Sequence, residues 1–492
     1  MPDHAGLAEH VSLDPRDWDR TRQLAMRMAS DMVTYLETVH DRPTWQSVPA
    51  EVKARLAEPV PSAGADLGDV YDEFVRDILP YPTGNIHPRF WGWVMGTGTP
   101  TGMLADMLMS GMNSHVAGYD QAASLIEKQV CSWLVELMGF PSGSSSLLVS
   151  GGTEANVNGL TSAIVAKAGF DIREQGVAAG PPLAIYASAQ THSWLLKACE
   201  HLGLGRKALR LIPVDASFRI DMNACRSQIV ADIAAGARPV CIVGNIGTVN
   251  TAAVDDLPQL RALADEFGLW LHLDGAFGAL AGWGRHADLV RGQELGDSLA
   301  FDLHKWGYVP YEVGAIITRD PNAQLRAYKP SDSGAPSYLL SADRGISVDT
   351  TYFADRGSQL SRGFRALNVW MSFKEQGVHR IAEAISRNID QARYLAQRVR
   401  EEPLLRLMAP CSLNTVCFRF DPGVGSPDEI DRLNAEILIE LQERGIAVPS
   451  QTILDGRYAI RVCNTNHRSQ LPDFDLLVAE VLRLGAKLTG SR

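Results

Sequence analysis

The 492-residue chain has little cysteine, no excess of positive charge and no long apolar run. Its seven cysteines (Cys131, Cys199, Cys225, Cys241, Cys411, Cys417 and Cys463) form no Cys-x-x-Cys pair. That spacing offers neither a zinc ribbon nor a thioredoxin-like motif, and no metal site is expected. Isolated cysteines of this kind behave as small hydrophobes and point to a reducing compartment. Lys plus Arg number 46 against 57 Asp plus Glu, a formal charge of −11. General nucleic-acid binding needs a basic footprint and is disfavoured, although local anion sites stay open. Nowhere do about 18 apolar residues run together, so no membrane span is expected. The start, MPDHAGLAEHVSLDPRDW, carries acids and proline where a secretory signal needs a basic end and an apolar run. A cytoplasmic protein is the expectation.

What is present reads as ordinary globular composition, 46% apolar and 21% charged. The length suits about three domains, or one large domain with a smaller one. Trp18, Leu24, Met28, Met32, Tyr35, Leu36 and Val39 recur at helical steps across 17–41. A Pro-punctuated stretch with a short helix at Val52 to Leu56 follows. This portion, 1–95, has apolar faces but little mass for a core, and it reads as a helical arm that wraps a partner subunit. From about 145 to 320 short apolar runs alternate with helical stretches: Leu147 to Ser150, Leu183 to Ala187, Pro239 to Val243, Leu269 to Asp274, Ser298 to Leu303 and Val313 to Thr318. Such runs mark buried strands of an α/β sheet, largely parallel. A polar stretch from Pro330 to about Ser361 reads as a mobile loop, and 96–375 as the large domain. Within 376–492 the order is helix, strand, helix, strand, helix, a small α+β domain. Ser426-Pro427-Asp428-Glu429 is a capping box there.

Ligand sites of α/β sheets lie at the carboxyl ends of the strands. After the first run come Ser150-Gly151-Gly152-Thr153, opening a helix; alone, this is equally a tight turn or a phosphate cradle. The fourth run ends on Asp274, followed by Gly275 and Ala276; a helix cap, a structural ion pair and a partner for a cationic ligand are all open. The fifth run ends in Asp302-Leu303-His304-Lys305-Trp306. Lys305 by itself could simply snorkel, but a desolvated lysine can serve as a nucleophile. Together the three elements supply what pyridoxal phosphate needs: an anion site, a carboxylate for the pyridine nitrogen and a lysine for the aldehyde.

With these residues the chain resembles the group II pyridoxal-phosphate-dependent amino-acid decarboxylases, the family of aromatic-L-amino-acid decarboxylase. The resemblance spans nearly the whole chain and is most specific at Asp274-Gly275-Ala276, Asp297-Ser298 and His304-Lys305-Trp306. It implies fold-type I: a large domain with a mostly parallel seven-stranded sheet, a small C-terminal α+β domain and an N-terminal dimerisation arm. It implies that Lys305 forms the Schiff base with the cofactor, that Asp274 pairs with the pyridinium and that Ala276 lies near the ring. Gly151, Gly152 and Thr153 would hold the phosphate with His304 close by, and His192, in Thr191-His192-Ser193, would stack on the ring. Ala335-Pro336-Ser337-Tyr338-Leu339 resembles the catalytic loop whose tyrosine protonates the substrate Cα. Arg362, in Ser361-Arg362-Gly363, matches the arginine expected to engage the substrate carboxylate. Phe90-Trp91-Gly92-Trp93 matches a substrate-pocket segment, so Trp91 and Trp93 suggest an aromatic substrate such as tryptophan, tyrosine, phenylalanine or dihydroxyphenylalanine. Arg89 keeps an acidic substrate open.

Two departures stand out. Asp302 replaces an asparagine that many members carry near the phosphate, and Val249 replaces a hydroxyl residue. Asp-x-His-Lys followed by Gly307 and Pro310 also resembles sphingosine-phosphate lyase, which leaves retro-aldol carbon–carbon cleavage as an alternative. The expected activity is decarboxylation of an amino acid to its amine in a homodimer.

Overall fold

Buried on both faces, the apolar runs become neighbouring strands of one sheet. The computed structural model describes residues 12–330, 343–348 and 351–490. Seven strands, β1 (Ser145–Val149), β2 (Leu183–Ser188), β3 (Leu209–Ile212), β4 (Arg238–Asn245), β5 (Trp270–Asp274), β6 (Ser298–Asp302) and β7 (Gly314–Thr318), lie in the order β1-β7-β6-β5-β4-β2-β3. β7 runs antiparallel to both its neighbours, and the remaining pairs are parallel. Leu147, Ile242, Leu271, Leu299 and Ile316 share one apolar cluster; Ile185, Val240 and Val243 share another with Leu160 and Ile164 of the helix Gly152–Lys167. Burial on both sides is why these strands read as continuous runs rather than as alternating patterns. β3 is the exception: of its four residues only Ile212 is buried, so this edge strand has no apolar run to read.

A second, antiparallel sheet contains β8 (Leu405–Leu407), β9 (Thr415–Phe420), β10 (Ser450–Leu454) and β11 (Arg457–Cys463), in the order β10-β11-β9-β8. Phe418, Phe420, Ile437, Leu441, Phe474 and Val481 fill the core between this sheet and the helices Val378–Glu401, Pro427–Glu443 and Leu471–Gly490. The capping box is formed: Ser426 Oγ accepts from the Glu429 N–H, and Glu429 Oε2 accepts from the Ser426 N–H at 2.8 Å.

The chain separates into two compact units, one comprising Met1–Pro43 with Ser47–Thr83, the other Thr44–Gln46 with Gly84–Arg492. In the first, the helix Trp18–Glu37 starts where Asp17 Oδ1 accepts from the Arg20 N–H, and Tyr71 Oη donates to Asp31 at 2.8 Å. Arg55 and Arg76 both donate to the buried Asp77. Residues 84–95, assigned to the arm on sequence, instead go with the second unit. The Trp91 N–H donates to Val448 O and Trp91 O accepts from the Cys463 N–H, which ties this backbone to the small sheet and the residues leading into it. No helix among the described residues is long and apolar enough to cross a membrane.

Candidate active site

The parallel register brings the strand ends together. Asn245 on β4 pairs with Asp274 on β5, and Asp274 with Ala300 on β6. Just beyond them lies a cavity of about 290 Å³ lined by Gly152, Thr153, His192, Asp274, Ala276 and Lys305. Trp93, Asn250, Ser450, Gln451 and Arg461 line it as well, several coming from the small sheet.

Asp274 is held by two donors: Trp194 Nε1 reaches Oδ2 at 2.7 Å, and the Ala276 N–H reaches Oδ1 at 3.1 Å. Together they fix the direction of the carboxylate. Two residues back along β5, His272 spans Ser298 Oγ (Nδ1, 2.7 Å) and Asn156 Oδ1 (Nε2, 2.8 Å). Burial pushes its pKa down to about 4, so the ring is neutral, with its proton on the nitrogen that faces the Asn156 oxygen. The His192 Nδ1 accepts from the Trp194 N–H at 3.1 Å, which leaves the proton of the neutral ring on Nε2. Loss of water around this ring lowers its pKa against the opposing pull of Asp274.

Lys305 follows β6 through a turn that places its Nζ 2.7 Å from Asp302 Oδ2. Burial alone would lower the lysine pKa, but the Asp302 carboxylate outweighs it and the net shift is upward. His304 stands one layer behind: Nδ1 meets Val313 O at 3.1 Å, Nε2 lies 3.7 Å from Asp302, and the ring leans on Tyr311 with centroids 4.5 Å apart.

Gly152 opens the helix Gly152–Lys167. A Cβ there would sit 2.7 Å from Asp302 Oδ2 and 3.3 Å from the Ala276 Cβ, so only glycine lets the turn come this close. Free N–H groups at a helix start favour an anion, and the turn faces the same cavity as Asp274 and Lys305. A phosphate cradle, a carboxylate and a primary amine around one space fit pyridoxal phosphate.

A family model described as the pyridoxal-dependent decarboxylase conserved domain matches residues 49–421. The chain belongs to the pyridoxal-dependent decarboxylase family. It is 30% identical over 490 residues to an aromatic-L-amino-acid decarboxylase of Bacillus atrophaeus, with 98% of each chain covered. It is 28% identical to tyrosine decarboxylase 4 of Petroselinum crispum, covering 92% of this chain and 89% of that one. Among solved structures, Catharanthus roseus tryptophan decarboxylase in complex with L-tryptophan superposes with a TM-score of 0.85 at 25% identity, covering 98% of this chain and 100% of the other. Family membership makes pyridoxal 5′-phosphate the cofactor and decarboxylation of an amino acid the reaction.

Within this family framework two sequence expectations need correction. Arg362 does not face the cavity. It is 4% exposed and donates to Val116 O (2.6 Å), Leu148 O (2.7 Å) and the buried Glu127 carboxylate. Its guanidinium is committed to neutralising Glu127, which burial would otherwise leave as an uncompensated charge. Trp91 is 1% exposed and stacks on Phe474 at 4.8 Å, with Nε1 donating to Ser469 Oγ; it is a core residue of the small domain. Its neighbour Trp93 does line the cavity. Arg89, the other cation considered, donates through Nε to Ile446 O and is absent from the cavity lining. Tyr338 and its loop, Ala335 to Leu339, lie outside the described residues.

Sequence reasoning missed Arg461. It is 4% exposed in β11, with Nε donating to Asn250 O at 2.9 Å and Nη1 to Trp93 O at 2.7 Å. Its Nη2 has no partner among the described residues. The available signal was a charged residue inside an otherwise apolar strand, Tyr-Ala-Ile-Arg-Val-Cys.

Proposed function

We propose that the protein decarboxylates an aromatic L-amino acid to its amine, with Lys305 as the lysine that holds the cofactor. The observation that carries this reading is the convergence of Lys305, Asp274 and the Gly152 turn on one cavity whose wall also includes Trp93 and Phe277. The relatives named for aromatic, tyrosine and tryptophan substrates support the substrate class. When bound, pyridoxal phosphate supplies an electron sink for the carbon that loses carbon dioxide.

The chain's own residues do the rest. Asp274, oriented by Trp194 and the Ala276 N–H, would pair with the ring nitrogen of the bound cofactor and keep its proton there. His192 and Ala276 would hold the cofactor ring, and Gly151, Gly152 and Thr153 would bind its phosphate, with His304 near them. Arg461 replaces Arg362 as the cation for the substrate carboxylate: it stands in the cavity wall, and its Nη2 has no partner among the described residues. Trp93 packs on the substrate ring, and Tyr338 delivers the proton to the substrate Cα. The assembly is a homodimer, supported by the exposed Leu104, Met107, Leu108 and Met112 along one side of the helix Pro100–Met112. The seven free cysteines support a cytoplasmic setting.

The test is a panel of the twenty amino acids, assayed for carbon dioxide and amine with added pyridoxal phosphate. Aromatic amino acids should turn over. Release from glutamate or aspartate alone would overturn the substrate class, and an aldehyde formed without carbon dioxide would replace decarboxylation with carbon–carbon cleavage.

A further inference from the structure

The loop that leaves β4 carries Asn250 across to the small sheet. Ile246 and Val254 bridge at its base, and Thr248 Oγ1 accepts from the Ala253 N–H at 3.0 Å. In the turn between them both ends of the Asn250 amide are engaged. Nδ2 donates to Gln190 Oε1 at 2.8 Å, and Oδ1 accepts from Thr452 Oγ1 at 2.9 Å. Gln190 follows β2, two residues before His192, and Thr452 lies in β10. One side chain therefore ties the cofactor side of the cavity to the small sheet. The backbone oxygen of the same residue accepts from Arg461 Nε at 2.9 Å and from Cys417 Sγ at 3.4 Å.

Arg461 depends on such an anchor. Its side chain is buried, and among the described residues it pairs with no carboxylate. Besides Asn250 O, its close partner is Trp93 O at 2.7 Å. A buried cation held by carbonyls alone keeps its charge uncompensated until an anion arrives. The guanidinium is planar and rigid, so the carbonyls that hold two of its nitrogens also set where the third one points. Asn250 O can hold Nε in place only if the turn stays in place, and the Asn250 amide is what fixes the turn. Its neighbours do not offer that clamp: Thr248 and Thr251 bond each other at 3.1 Å, and Val249 has no polar side chain.

We infer that Asn250 is a positioning residue for the substrate. Clamped between Gln190 and Thr452, it fixes the carbonyl that aims Arg461, and so sets how well the site takes the carboxylate of an amino acid. The inference rests on reading Arg461 as the cation for that carboxylate.

Steady-state kinetics of the full-length protein loaded with pyridoxal phosphate test this. L-phenylalanine, L-tyrosine and L-tryptophan serve as substrates; phenethylamine, tyramine and tryptamine, which lack only the carboxylate, serve as inhibitors. Asn250→Ala should raise KM roughly tenfold, the scale of a misaimed charge-assisted hydrogen bond, while the inhibition constants of the amines stay within about twofold. Thr452→Val removes one arm of the clamp and should raise KM in the same direction by less. Thr452→Ser keeps the hydroxyl and should restore the wild-type value. Equal losses for amino acids and amines would mark a purely structural role and overturn the inference, and so would an unchanged KM in Asn250→Ala. If Asn250→Ala does not fold, the Thr452 pair decides by the same criterion. Arg461→Met separates the two readings. If it weakens amino acids and amines alike, Arg461 is not the carboxylate cation and this inference falls with it; if it discriminates between them and the Asn250 and Thr452 variants do not, only the role of Asn250 is lost. Turnover of none of the three amino acids would remove the aromatic reading and this inference together.

Discussion

At the scale of single residues, two arginines differ in their surroundings. Arg362 is a buried ion-pair partner and Arg461 a cation with a donor to spare, and their variants should separate. Arg362→Met leaves Glu127 buried and unpaired, so it should destabilise the fold by about 3–5 kcal/mol with little change in KM, read from denaturant melts and steady-state kinetics. Arg461→Met should lower kcat/KM by roughly 10- to 100-fold, the worth of one charge-assisted hydrogen bond, mainly through KM, while the melt moves far less. The reverse pattern would return the substrate carboxylate to Arg362. Tyr338 is argued from its loop motif alone: Tyr338→Phe should depress amine yield and divert product to aldehyde by oxidative deamination, measured by chromatography of both products.

At the scale of elements, the start of the helix Gly152–Lys167 and the end of β5 carry the site. Gly152→Ala puts a methyl 2.7 Å from Asp302 Oδ2, so cofactor binding should weaken by roughly tenfold or more, in keeping with the ~1–3 kcal/mol typical of overpacking; an equilibrium titration checks it. β5 also sets an acid limit. The folded pKa of His272 is depressed to about 4 against about 6.5 in the unfolded chain, so the unfolded state binds a proton that the fold refuses. This contribution is complete above about pH 6.5 and is lost as the pH falls toward about 4. Thermal midpoints should drop across that window, and His272→Asn should drop less steeply there.

At the scale of the whole molecule, the exposed stripe Leu104, Met107, Leu108 and Met112 is the surface on which the dimer is argued. Leu108→Asp should shift sedimentation from dimer toward monomer; an unchanged dimer would move the interface elsewhere. At this scale too, the sequence was most legible where chemistry and burial coincide. The six buried runs, the capping box at Ser426 and the residues Asp274 and Lys305 could be placed from local pattern, because each is a short-range consequence of strand burial or helix capping. β3 was not visible, since an edge strand with one buried residue carries no periodic signal. Arg461 was not visible as a site residue either. It is distant in sequence from the strand ends it joins, and only the packing of β11 beside Trp93 and Asn250 brings it to the cavity.

The sequence by itself determined the family, the cofactor chemistry and which strand ends carry candidate residues, because glycine turns, strand-end carboxylates and a strand-end lysine are local features. Which arginine faces the cavity, which tryptophan is core and which lines the site, and how close Asp302 lies under the glycine turn were decided by tertiary structure alone. Side-chain charge and aromaticity are written in one dimension. Whether a guanidinium meets a buried glutamate or an open cavity depends on contacts between segments hundreds of residues apart.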